Sequence, residues 1–337
     1  MNIQENISLK PFNTFGLAKN ARFFTSVHSE KDLIEALIWA KNKGLEVFIL
    51  GGGSNILLTQ DLNSLVIKIE IDGIEKVKED SEFVWIKAGA GVIWHDFVMN
   101  CIENNWAGVE NLSLIPGTVG ASPMQNIGAY GIEIKDVFES LIALNRATLE
   151  LHEFDAAACQ FGYRESVFKN YLKGQFIITS VTFKLRKKPV FNLEYGAIKE
   201  TLAQNQIQEP SLKSVSDAVI QIRQSKLPDP KEIGNAGSFF KNPTVPTEDW
   251  MALKKDYPTI PGYEVEAGIK IPAAWLIEQC GWKGQRFGEI GVHKNQPLVL
   301  VNFGNGDGNE IKKLAERIQT SVSEKFGIAL SPEVNFI

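Results

Sequence analysis

Residues 111–132 read NLSLIPGTVGASPMQNIGAYGI, 22 positions without one charged side chain. Four glycines (Gly117, Gly120, Gly128, Gly131) and two prolines (Pro116, Pro123) are spread through it. Neither a membrane-spanning helix nor a regular buried helix tolerates that spacing. The segment must be irregular, apolar backbone, and such backbone is buried only where its N–H and C=O groups find partners. A large planar ligand with phosphates and ring heteroatoms would supply many of them, which makes the segment a cofactor cradle. A Gly/Pro-rich connection packed on its own protein is the alternative.

Towards the N-terminus, Glu46 to Leu50 (EVFIL) is an apolar run that reads as a strand, followed at once by Gly51-Gly52-Gly53-Ser54-Asn55. The chain continues as ILLTQDL instead of opening a helix. A Rossmann fingerprint needs its glycines to lead into a helix, and a phosphate-binding Walker loop needs Gly-Lys-Ser/Thr, so both are rejected. What remains is a tight turn of exposed amides, a potential anion nest. Upstream, Ser29 and Asp32 resemble a capping box, and the apolar spacing from Leu33 predicts a helix that Gly44 stops. Residues 65–90 alternate short apolar runs with turns, as strands do, and residues 92–104 have helical character.

Towards the C-terminus, residues 137–154 read as a hairpin and residues 176–187 as a long strand. Pro189 and the polar stretch 204–211 suggest a domain boundary. A helix starts near Ser214 or Ser216 and runs through Val219 and Ile222 to Pro228. Pro272 at a first helical position and Gly281 past the end bracket AAWLIEQC. The last helix, from about Asn309, sets Ile311, Leu314, Ala315, Ile318 and Val322 on one stripe, and the chain closes with a strand, EVNFI. Strands and helices in separate blocks indicate an α+β protein.

The 337 residues suffice for two domains, and 44% hydrophobic with 22% charged residues excludes disorder. A net charge of -5 with scattered Lys and Arg gives no footprint for nucleic acid. Cys101, Cys159 and Cys280 are odd in number and lack metal-ligand spacing, as expected for reduced thiols. The N-terminal residues have no secretory pattern and no later segment has the composition of a bilayer span. The expectation is a cytoplasmic protein without nucleic-acid or membrane partners.

Four further segments are unusual. Gly162-Tyr163-Arg164-Glu165-Ser166 sets an arginine after a glycine and an aromatic. Residues 222–230 (IRQSKLPDP) place Arg223 and Lys226 on a last helical turn. Residues 235–243 (NAGSFFKNP) surround Ser238 with small and aromatic residues, and residues 331–334 (SPEV) open the terminal strand with Glu333. Each has a plain structural alternative: a salt-bridged arginine, a lysine at a helix C-terminus, a turn serine, a strand-edge charge. None of His28, His95, His152 and His293 stands out for a Ser-His-Asp hydrolase, and a clustered ligand set for zinc is missing.

Taken in order, IPGTVGASPMQNIGAYG, GGGSN, GYRES, SKLPDP with NAGSFFKNP, and PEVNFI resemble the UDP-N-acetylenolpyruvoylglucosamine reductase family of peptidoglycan synthesis, over roughly residues 13–337. Tyr195 in LEYGAI resembles the longer form of that family, in which a tyrosine loop closes over substrate. The resemblance implies an FAD-binding fold of the vanillyl-alcohol-oxidase type, with two α+β subdomains at 1–70 and 71–200 and a substrate-binding domain at 212–331. The strand 332–337 would return near the second subdomain. It further implies a monomer that takes FAD, NADPH and a UDP-sugar.

By the same resemblance Gly51, Gly52, Gly53, Ser54, Asn55, Pro116, Gly117, Gln125, Asn126, Gly128, Ala129, Tyr130, Gly131, Ile178 and Arg223 hold FAD. Tyr195, Lys226, Asn242 and Gln296 contact the UDP-sugar, and Arg164, Ser238 and Glu333 are catalytic. The chemistry asks for such a set. Hydride added to the terminal carbon of an enolpyruvyl ether pushes charge into the carboxylate as an enediolate, which needs a cationic fork and a proton donor at the other carbon. Arg164 suits the first role and Ser238 the second, with Glu333 adding a hydrogen bond. A flavin oxidase of small alcohols, or a flavin-binding module without chemistry, are the competing readings.

Overall fold

The computed structural model describes residues 2–195 and 197–337. Two compact units divide the chain, each assembled from separate stretches: residues 1–7, 21–52 and 62–224 form the first, residues 8–20, 53–61 and 225–337 the second.

The first unit holds two sheets. In the smaller, the strand Leu62–Ile69 lies between Asn20–Val27 and Val47–Leu50 and is parallel to both. Parallel neighbours require a crossover, and the helix Glu30–Asn42 supplies one. Ser29 caps it, its Oγ accepting from the Asp32 N–H at 3.1 Å. Leu33, Ala36, Leu37 and Ala40 bury against Leu65, Ile67 and Ile69.

The larger sheet is antiparallel, in the order Leu151–Asp155, Phe138–Asn145, Phe176–Arg186, Phe83–Gly89, Ile74–Glu79. The hairpin and long strand expected from the sequence are its centre. The helix Trp94–Glu103 lays Trp94 and Phe97 on Phe183, ring centroids 5.7 and 4.7 Å apart. Indole Nε1 of Trp94 donates to the Leu112 carbonyl at 2.9 Å. That bond anchors the start of the uncharged segment to the core.

The helices Ile198–Gln204 and Leu212–Lys226 pack together through Ile198, Leu202, Val215, Ala218, Val219 and Ile222, with Tyr130 against them. The sequence reading expects a new domain to begin at 212, whereas the first unit extends to Gln224. The apolar stripe of the second helix is the reason. It needs the Ile198–Gln204 helix as its cover, so polar residues 204–211 are a connection within one unit. The edge expected between 70 and 71 falls between the two sheets of that unit.

In the second unit, the antiparallel order is Gly234–Asn235, Leu300–Asn302, Ile290–Val292, Arg286–Phe287. The helix Gly308–Phe326 is capped by Asp307, whose carboxylate accepts from Asn309 N–H at 2.8 Å, and buries the expected stripe before Gly327 ends it at φ 68°. Pro272 is the N-cap of the helix Ala273–Gln279, one position earlier than expected, and Gly281 follows at φ 78°. The terminal strand is Asn335–Phe336 and pairs in parallel with Ile56–Leu57 of its own unit. Mixed sheets and segregated helices make the fold α+β, as the sequence indicates.

Candidate active site

Two motifs far apart in sequence meet in the first unit. A methyl group placed on Gly52 would lie 2.7 Å from Gly117 Cα, and one on Gly51 would lie 3.1 Å from Thr118 Oγ1. At Gly52 backbone touches backbone where the turn after the strand Val47–Leu50 meets the uncharged segment, and only glycine permits it there. Trp94 N–H donates to the Gly117 carbonyl at 3.0 Å and holds that approach. Pro116 is exposed and Gly117 half-buried at the rim. Val119–Gln125 is a 3-10 helix containing Pro123, ending in Asn126 at φ 44°, and the strands Gly128–Ala129 and Ile132–Glu133 form a short hairpin through Tyr130 and Gly131, both at positive φ.

Asn126, fully buried, donates to Glu133 Oε2 at 2.9 Å and the Gly162 carbonyl at 3.0 Å, and accepts from Lys135 N–H at 3.1 Å. Its side chain is consumed as a strut of the loop. Ile178 is buried in the core of the larger sheet and offers no side-chain surface. Gln125, Gly128, Ala129 and Tyr130 are half-buried and Gly131 is exposed, so the hairpin is the accessible part of the cradle.

Arg164 reaches this hairpin. Its Nη2 donates to the Gly128 carbonyl at 2.6 Å and Nη1 lies 3.7 Å from Glu133 Oε1. The guanidinium sits 5.3 Å from the Tyr163 ring centroid, and the residue itself stands at φ 56°. GYRES thus aims a planar cation at the cradle. Tyr195 is exposed beside it, its Cβ 3.2 Å from where a methyl on Gly131 would be.

Arg223, on the last turn of Leu212–Lys226, carries a buried Nε without a hydrogen-bond partner among the described residues. Burial pushes its pKa down, and the Tyr130 phenol is the titratable neighbour that opposes this. Burial in turn raises the Tyr130 pKa. His95, dismissed at the level of sequence, stands near the same guanidinium. Burial holds its imidazole below the usual value and Arg223 adds to this, while Asp96 opposes it. Its Nδ1 accepts from Leu114 N–H at 3.0 Å, fixing the neutral ring with the proton on Nε2. Leu114 has φ 59°. Asn111, also missed, donates to the carbonyls of Tyr130 and Asn192 at 2.9 and 2.8 Å. No periodicity or motif distinguishes such braces; only their contacts do.

The second unit gathers the other group. Glu333 N–H donates to the Phe239 carbonyl at 2.8 Å and Phe240 bridges Pro332, so the segments bearing Ser238 and Glu333 lie side by side. Ser238 is exposed on a turn made by Gly237 at φ 69°, and Glu333 is half-buried. Asn55 Nδ2 donates to the Glu333 carbonyl at 3.1 Å, which ties Asn55 to the same place. Gly53 has φ 63°, and a methyl there would lie 1.9 Å from the Phe12 carbonyl; Ser54 is half-buried beside it. Asn242 Oδ1 accepts from Ala273 N–H at 2.9 Å, leaving its NH₂ group for a ligand. Gln296 closes a turn that receives Val299 N–H, and Lys226 is exposed. Ser54, Asn55, Lys226, Asn242 and Gln296 thus share the second unit with Ser238 and Glu333.

The residues fit FAD. A diphosphate and a fused ring ask for close backbone approach, which Gly52 and Gly117 provide, and for a donor with hydrogen bonds still to make, which the Arg223 Nε, without a partner among the described residues, provides. Clusters of His, Cys, Asp and Glu able to hold a metal are absent among the described residues.

Comparison with known proteins agrees. Residues 21–151 match the model of an FAD binding domain, and residues 229–337 that of the UDP-N-acetylenolpyruvoylglucosamine reductase C-terminal domain. UDP-N-acetylenolpyruvoylglucosamine reductases of Flavobacterium johnsoniae and Amoebophilus asiaticus are 56% and 52% identical over the whole of both chains. That of Pseudomonas aeruginosa is 46% identical over 99%. The crystal structure of the reductase from Thermus caldophilus shares the fold, with a TM-score of 0.70 at 23% identity over 100% of this chain and 99% of its own. The chain belongs to the UDP-N-acetylenolpyruvoylglucosamine reductase family, FAD-dependent oxidoreductases of peptidoglycan precursor synthesis.

Proposed function

We propose that this protein reduces the enolpyruvyl group of UDP-N-acetylglucosamine enolpyruvate to lactyl, giving UDP-N-acetylmuramate, with NADPH as reductant and in the cytoplasm. The observation that carries the reading is the meeting of the Gly51-Gly52 turn with Gly117, beside a hairpin to which Arg164 is tied. FAD bound in that cradle supplies hydride transfer, for which the side chains have no redox group.

Arg164 receives the substrate carboxylate. Its guanidinium is planar, permanently charged and already oriented by the Gly128 carbonyl, so it stabilises charge that grows as the enediolate forms without reorganising at that moment. Ser238 then delivers a proton to the carbon bearing the ether oxygen. A serine hydroxyl is a feeble acid in water, but an enediolate carbon is a strong base, and the exposed turn leaves the hydroxyl accessible. Glu333, on the neighbouring segment, adds a hydrogen bond to the developing charge when protonated. Tyr195, Lys226, Asn242 and Gln296 hold the UDP-sugar, Lys226 by charge and Asn242 by its remaining amide protons. Gly51 to Asn55 and the half-buried hairpin contact FAD, with Arg223 as a cation.

Colour tests the proposal. Purified protein should be yellow, bleach with NADPH under nitrogen, and regain its absorbance when UDP-N-acetylglucosamine enolpyruvate is added. Reoxidation by oxygen alone, with none by the enolpyruvyl nucleotide, would support an oxidase instead.

A further inference from the structure

We propose that Lys68 is a cofactor-binding residue, the ammonium that neutralises the diphosphate of FAD; the proposal rests on the FAD assignment above. Lys68 lies on the central strand Leu62–Ile69, in register with Leu50, the last residue before the glycine turn. It stands near the carboxyl end of a strand whose two neighbours run parallel to it. In open α/β sheets the crevice outside those strand ends is where ligands bind.

Side chains alternate across a strand. Ile67 and Ile69 bury against the helix Glu30–Asn42, which turns Lys68 to the opposite face. There its Nζ donates to the Gly51 carbonyl at 3.4 Å, and its side chain is only 18% exposed. The ammonium is thus held beside the turn whose neighbours are Gly117 and the Thr118 hydroxyl.

A lysine on a central strand is costly to shield from water, and here it is weakly matched. Its carboxylate neighbour, Glu70, is 3.7 Å away and is shared with His28 Nε2, also at 3.7 Å. Neither glycine segment carries a charge of its own: residues 51–55 and 111–132 contain no Lys, Arg, Asp or Glu. A diphosphate brings two negative charges into this neutral backbone. Backbone amides can orient it, but a fixed cation is what offsets its charge, and Lys68 is placed to do so with two ammonium protons beyond the bond to Gly51. The sequence gives no sign of this, since Lys68 belongs to no motif and is revealed by strand register.

The test uses full-length protein stripped of flavin and titrated with FAD, ADP and riboflavin, as wild type, Lys68→Met and Lys68→Arg. Methionine keeps the length and apolar stem, so the strand retains its packing. FAD and ADP affinities should fall about 10- to 150-fold in Lys68→Met, the range of a charge-assisted hydrogen bond. Riboflavin affinity should stay within about 2-fold, and Lys68→Arg should recover most of the loss. The salt dependence of FAD binding should also become shallower in Lys68→Met. Unchanged FAD and ADP affinity would overturn the proposal, as would an equal loss for riboflavin, which would mark Lys68 as a structural residue. If the wild type itself took up no FAD, the cofactor assignment would fall first and this proposal with it.

Discussion

Replacing Arg223 with methionine should separate flavin binding from stability. Among the described residues the guanidinium has a buried Nε without a hydrogen-bond partner, and its titratable neighbours are the Tyr130 phenol and the His95 imidazole. A buried polar group left unsatisfied costs about 1–3 kcal/mol, more for a charge. Arg223→Met removes that cost while keeping most of the apolar stem, so flavin-free protein should melt no lower than wild type. Its stability should be equal or up to about 2 kcal/mol higher. On the proposed reading, bound FAD gives the guanidinium its acceptor. A hydrogen bond to a charged group contributes about 1.5–3 kcal/mol, so the FAD dissociation constant should rise about 10- to 150-fold. Flavin fluorescence titration and thermal melts with and without FAD read both effects. Equal destabilisation of both forms with unchanged FAD affinity would refute the reasoning and make Arg223 a structural group.

Other consequences follow from particular contacts. Arg164→Lys keeps the charge but loses the fork tied to Gly128, and should lower kcat/KM by at least about 10- to 100-fold; near-normal turnover would contradict a carboxylate clamp. Gly53→Ala and Gly44→Ala both force a side chain onto φ 63°, but only the first meets an atom, the Phe12 carbonyl. Gly44→Ala should cost about 1–2 kcal/mol from backbone strain and Gly53→Ala clearly more, measured by urea unfolding. His95 is held below its usual value of 6.5 in the folded state, so the unfolded chain takes up its proton first. Its contribution is complete above about pH 6.5 and is lost as the pH falls towards the lower folded value. His95→Asn should flatten that part of the stability profile, and an unaltered profile would exclude His95 as its source.

Much of this was legible in the residues because the legible parts are local. A helix capped by Ser29, a stripe from Ile311 to Val322, and glycines that cannot open a helix each follow from a few neighbours. The uncharged stretch betrayed its irregular backbone by composition alone. The polar residues 204–211 mark a connection, and whether that connection joins domains or helices depends on which apolar stripe covers the next helix, which the sequence does not show. That the Asn126 side chain bonds Glu133, Gly162 and Lys135 is not written in its spacing either. Ile178 lies on the long strand the sequence predicts, and which face of that strand is buried only the packing shows. His95 and Arg223 acquire meaning only through burial and their closeness to each other, neither of which a spacing records.

On the proposed mechanism hydride and proton reach the substrate from different groups, the proton from Ser238. Anaerobic stopped-flow absorbance of Ser238→Ala measures this most directly, following flavin bleaching by NADPH and then its return with UDP-N-acetylglucosamine enolpyruvate. The account predicts bleaching at the wild-type rate and a return slower by about 10²- to 10⁴-fold. Equal slowing of both phases, or a return at the wild-type rate, would contradict it.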